Sequence, residues 1–146
     1  MLPATPVALP RAALWLGYGG LLPFVGGALL LWLVHAELNP RLAHVMSGYA
    51  ATIVAFLGGV HWGVAFTQDQ PRPLLFAWGV FPSLVAWVAV VMPPAAGLVV
   101  LGLALVLCYL VDRRLYVAQG IGRWLGLRWR LTVVASFSCF LAAAGA

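Results

Sequence analysis

Five stretches of this chain are apolar for long enough to cross a hydrocarbon core, and nothing else in the sequence constrains the fold as strongly. They run over about residues 14–35, 42–67, 73–92, 95–111 and 130–146. A bilayer core ~30 Å thick is crossed by about 20 helical residues at ~1.5 Å each. Lipid offers no partner to a backbone N–H or C=O, so every crossing segment must close its own hydrogen bonds as helix. The expected fold is therefore all-α, a single transmembrane domain over residues 1–146 built as an integral membrane bundle of five helices. Charged residues make up 8% of the chain, against about 25% in a soluble domain. Mean hydropathy is +1.05. So few charges could not cover a water-facing surface.

The spans carry local signals of their own. Pro23 lies mid-way along the first span, where it removes a ladder hydrogen bond and predicts a kink. In the second span Ala51, Ala55, Gly59 and Gly63 recur every four residues. That spacing puts four small residues on one face, a stripe against which another helix can pack closely. Pro82 falls inside the third span, and Pro93–Pro94 predicts a tight turn after it. Between the fourth and fifth spans lies Asp112–Arg130, DRRLYVAQGIGRWLGLRWR. Its mixture of arginines with aromatic and aliphatic residues predicts an interfacial segment lying along the headgroups. The N-terminal MLPATPVALPRAALW has one positive charge and three prolines ahead of a full span. It reads as a short tail rather than a cleavable signal.

The net charge of +5 comes from eight arginines with no lysine. With five spans, Arg11, Arg72, Arg113, Arg114, Arg123, Arg128 and Arg130 fall on one side, and Arg41 alone on the other. Short arginine-bearing loops stay cytoplasmic. The expected placement is a bacterial inner membrane with a cytoplasmic N-terminus and a periplasmic C-terminus. The basicity is thus topological, and no nucleic-acid partner is expected.

Chemistry-bearing residues are few. His61 stands near the cytoplasmic end of the second span, in Phe56-Leu57-Gly58-Gly59-Val60-His61-Trp62-Gly63. An ionisable residue inside a span is a functional candidate. It can ligate haem or metal, carry a proton, or contact a lipid or quinone headgroup; it can also simply bond a neighbouring helix. The candidate ligand-binding set is His61, Trp62, Gly59, Gly63, Asp112 and Arg128. His35, Glu37 and His44 read as solvated loop residues, Asp69 pairs locally with Arg72, and Asp112 with Arg113 and Arg114. Cys108 and Cys139 form no CxxC and read as small buried hydrophobes. No metal site, catalytic residue or particular cofactor is expected, and three acidic residues leave little room for acid–base enzymology.

Several stretches resemble a family of small bacterial and mitochondrial membrane proteins of unknown function, whose animal member is called transmembrane protein sixty-nine. They are Gly20-Leu21-Leu22-Pro23-Phe24, the run from Tyr49 to Gly63, Pro82-Ser83-Leu84-Val85-Ala86-Trp87, Asp112, and Leu127-Arg128 leading into Leu131-Thr132. That family's pattern has glycine where Ala50 stands, serine where Ala55 stands and often arginine where His61 stands. The resemblance implies a multi-span inner-membrane protein and fits a hydrogen-bonding or anion-facing role at position 61. Two functions follow as expectations. The first is a non-enzymatic accessory, scaffold or assembly subunit of a membrane complex, with lipid, other membrane proteins or a second copy as partners. The alternative is a binder or carrier of a small amphipathic molecule (lipid, quinone or haem) near His61.

Overall fold

The computed structural model describes residues 7–146; the first six residues of the N-terminal tail lie outside the described part. The chain is all-α, with five helical segments long and apolar enough to span a membrane: Arg11–Leu33, Ala36–Ala65, Pro73–Val91, Pro94–Ala118 and Gly122–Gly145. The first is two helices, α1 (Arg11–Gly19) and α2 (Leu22–Leu33). The others are built on α3 (Asn39–Ala65), α4 (Pro73–Val91), α5 (Pro94–Ala118) and α6 (Leu125–Gly145), with short 3-10 turns at Ala36–Leu38 and Gly122–Trp124.

The break in the first span has a local cause. Pro23 carries no N–H, so the carbonyl ladder is interrupted at Gly20–Leu21 and resumes where Val25 N–H meets Leu21 O. The Tyr49 hydroxyl of α3 donates to the half-buried Gly20 carbonyl at 2.7 Å. The kink thus lies just ahead of the proline rather than at it. Pro82, by contrast, is accommodated inside a continuous α4.

α3 is central, packing against α2, α4 and α5, while α5 pairs extensively with α6. The close approach of α3 and α4 occurs at Gly58 and Gly79: a Cβ on Gly58 would sit 2.2 Å from the Gly79 carbonyl oxygen. This corrects the packing stripe. Ala51 is buried and Ala55 half-buried, but Gly59 and Gly63 are exposed, and a Cβ on either would meet nothing within 4 Å. The four-residue period drifts off the buried face of a 3.6-residue helix, and Gly58, one place earlier, takes the contact.

The segment Asp112–Arg130 is also corrected. It is not one separate element. Its first third is the end of α5 and its last third the start of α6, joined by the turn at Gly122–Trp124. α5 ends in a Schellman motif, with Ile121 N–H on Tyr116 O and Gly120 N–H on Val117 O. Gly120 supplies the positive φ of 76° that the motif requires. Asp112 and Arg128 turn inward, so the two helices extend past the boundaries that composition suggested.

A buried ionic cluster beside an apolar groove

Asp112 projects from α5 into the bundle at a point between one and two turns from the helix end, and is 1% exposed. An isolated carboxylate there would lose several kcal/mol of hydration. It is instead held by donors from three other helices. His61 of α3 donates from Nε2 to Oδ1 at 2.7 Å. Trp78 of α4 donates from Nε1 to the same oxygen at 3.2 Å. Arg128, in the first turn of α6, donates from Nη2 to Oδ2 at 2.8 Å. His61 is 1% and Arg128 9% exposed. These are the ion pairs among the described residues, so the local pairings expected for Asp112 with Arg113 and Arg114, and for Asp69 with Arg72, do not form.

Tyr116 completes the cluster. One helical turn beyond Asp112, its ring stands edge-on to His61 with centroids 5.9 Å apart, and the guanidinium carbon of Arg128 lies 6.0 Å from its centroid. Arg128 Nη1 reaches the Thr132 hydroxyl, one turn along α6, at 3.3 Å. A guanidinium carries five N–H donors, and protein acceptors engage one each from Nη1 and Nη2. Nε is buried without any partner.

An apolar groove of about 600 Å³ runs up to this cluster. Its walls come from α1 and α2 (Leu16, Gly17, Phe24), α3 (Ile53, Phe56, Val60, Val64), the turn before α6 (Trp124) and α6 (Leu127, Leu131, Ala135). Tyr116, Arg128 and Thr132 supply its polar lining. From Ile53 to Val64 it extends ~16 Å along α3. Leu16 and Phe56 on its rim are 78% and 68% exposed, so the groove opens sideways, where the bundle meets lipid. It exists because α1 stands off α3: α1 buries none of its residues and packs mainly on α6.

The structure thus brings together His61, Asp112 and Arg128 of the candidate set and separates the rest. Trp62 lies in the α3–α4 seam, donating to the Phe76 carbonyl at 3.0 Å. Gly59 and Gly63 face outward. His35, Glu37 and His44 are exposed at the opposite end of the bundle. Among the described residues no three His, Cys, Asp or Glu side chains cluster to hold a metal. Trp78, Tyr116 and Thr132 were not anticipated. Tyr116 and Thr132 were within reach, each four residues from a charged partner and so on the same helical face; the assumed helix ends hid them.

A family model described as "Protein of unknown function (DUF3429)" matches residues 9–144. The chain belongs to this family. Among curated relatives, Transmembrane protein 69 of Xenopus tropicalis is 37% identical over 137 residues, covering 88% of this chain and 52% of the relative. Transmembrane protein 69 of Mus musculus is 29% identical over 133 residues, covering 88% of this chain and 54% of its own length. The chain therefore spans about half the length of these relatives. No solved structure matches it significantly. The resemblance noted at Gly20–Phe24, Tyr49–Gly63, Pro82–Trp87, Asp112 and Leu127–Thr132 falls within the matched region, and the Asp112 and Arg128 it includes are the two charges that pair in the core.

Proposed function

We propose that this membrane protein binds a small amphipathic molecule of the bilayer, tail in the α1–α3–α6 groove and polar end at Arg128. One observation carries the reading: Arg128, with an N–H on each of Nη1 and Nη2 that no protein acceptor engages, lines an apolar groove that opens toward lipid. A hydrogen bond to a charged group contributes about 1.5–3 kcal/mol, and an occupant with an acceptor at its head would gain one from the guanidinium while covering the apolar walls. The groove volume falls within the usual range for small-molecule sites, about 300–1,000 Å³. In this reading Asp112 and His61 fix the guanidinium at the groove's end rather than perform chemistry. The test is native mass spectrometry of the protein from mild detergent, comparing wild type with Leu131→Trp, which fills the groove from a wall residue that makes none of the cluster's hydrogen bonds. A co-purified small molecule lost in the variant supports the reading. An empty wild-type protein that takes up no added lipid refutes it.

A second reading, an accessory or scaffold subunit of a membrane complex, is favoured by Gly59 and Gly63, small residues left open on the outer face of α3. Gly59→Leu should then abolish co-migration with a larger assembly on native gels. Migration as a lone subunit in wild type would count against it.

We assign the protein to a bacterial inner membrane with its N-terminus cytoplasmic. Arg128 leaves the topological count because Asp112 neutralises it inside the bundle. Arg11, Arg72, Arg113, Arg114, Arg123 and Arg130 remain exposed at one end of the bundle, against Arg41 at the other.

A further inference from the structure

We infer that the groove selects an amphiphile whose head is an uncharged hydrogen-bond acceptor, a carbonyl or ester type of group, over one with an anionic head. The inference rests on the groove being a binding site. An arginine at the end of a lipid-facing groove would ordinarily point to a phosphate or carboxylate. Here the positive charge is already spent. Asp112 holds Arg128 at 2.8 Å, so the charges of this pair sum to zero. Around the guanidinium lie Tyr116, Thr132 and apolar side chains, while His61 and Trp78 sit on the far oxygen of the Asp112 carboxylate. The exposed arginines of the same end, Arg113, Arg114, Arg123 and Arg130, face outward.

An anionic head seated here would place a net negative charge in an apolar groove, and it would compete with Asp112 for the same donors. The desolvation of that charge would have no new counter-charge to offset it. A neutral acceptor meets neither penalty. It needs only the N–H groups that the protein leaves unengaged, and it leaves the Asp112 pairing intact. The site is therefore built with hydrogen-bonding capacity in excess of its charge, which is the match for a polar but uncharged head.

The test compares three ligands with one tail: methyl myristate, myristate and tetradecane, at equal mole fraction in detergent micelles and at a pH of about 9, so that the acid is ionised. Binding is read as the rise in unfolding temperature, which grows with the logarithm of occupancy. The ester should bind about tenfold more tightly than the ionised acid, a separation of a few degrees at matched concentration. It should also stabilise more than tetradecane, which supplies no acceptor. Stabilisation by myristate equal to or greater than that by its ester overturns the neutral-head inference while leaving the groove reading in place. If none of the three stabilises the protein, or if Leu131→Trp responds as wild type does, the groove reading fails and this inference falls with it.

Discussion

At Asp112 a single carboxylate accepts hydrogen bonds from three helices other than its own, so its removal should act on the whole assembly. Asp112→Asn leaves Arg128 charged and uncompensated inside the bundle. Breaking one partner of a buried pair costs about 3–5 kcal/mol, expected as a large fall in unfolding temperature in detergent. His61→Ala removes one donor to a charged acceptor and should cost less, about 1.5–3 kcal/mol. The two effects should be non-additive when combined, because both act on the same oxygen pair. Neighbouring glycines make a sharper contrast. Gly58→Ala drives a methyl into the Gly79 carbonyl and should destabilise by about 1–3 kcal/mol or more. Gly59→Ala meets open space and gains helix propensity, so it should be neutral or stabilising by up to about 1 kcal/mol. Thermal unfolding of the pair checks both signs.

At the scale of elements, α1 is the loosest part of the bundle. Its anchors are the Tyr49 hydroxyl on the Gly20 carbonyl, Gly17 against Leu131 and Leu127, and Arg130 Nη1 on the Tyr18 hydroxyl at 3.2 Å. Tyr49→Phe should raise hydrogen exchange over residues 11–21 while leaving α5 and α6 protected, because one hydrogen bond of about 1 kcal/mol is lost at the joint alone. Element number and type were legible in the sequence because lipid allows only one kind of crossing segment. Their ends were not. Composition placed the limits of the fourth and fifth spans where the first charge appeared, at Asp112 and Arg130. The helices continue to Ala118 and begin at Leu125 because Asp112 and Arg128 pair inside the bundle. His61 was legible as a lone polar residue in a span, but its partner Asp112 lies 51 positions further along the chain, and no periodicity within one helix reports on another.

For the whole molecule, the odd number of spans sets the two described termini at opposite ends of the bundle and gathers the exposed arginines at one of them. Cysteines introduced at Gln119 and Glu37 should label from opposite sides of sealed membranes, with Gln119 reactive from the cytoplasm; labelling of both from one side would overturn the five-span topology. The native Cys108 and Cys139 are buried and should stay silent. The order in which the cluster's members are synthesised carries a further consequence. His61 and Trp78 emerge before Asp112, but Arg128 comes last, on the far side of the turn at Gly122–Trp124. Until α6 arrives, a nascent chain holds an acid in hydrocarbon with no cation of fixed charge to answer it. Such an unfinished protein carries its own mark of incompleteness, one that a membrane protease could read without any dedicated signal. A chain halted at Gly120 should be cleared from the membrane far faster than the full-length product, and the same truncation bearing Asp112→Asn should persist longer.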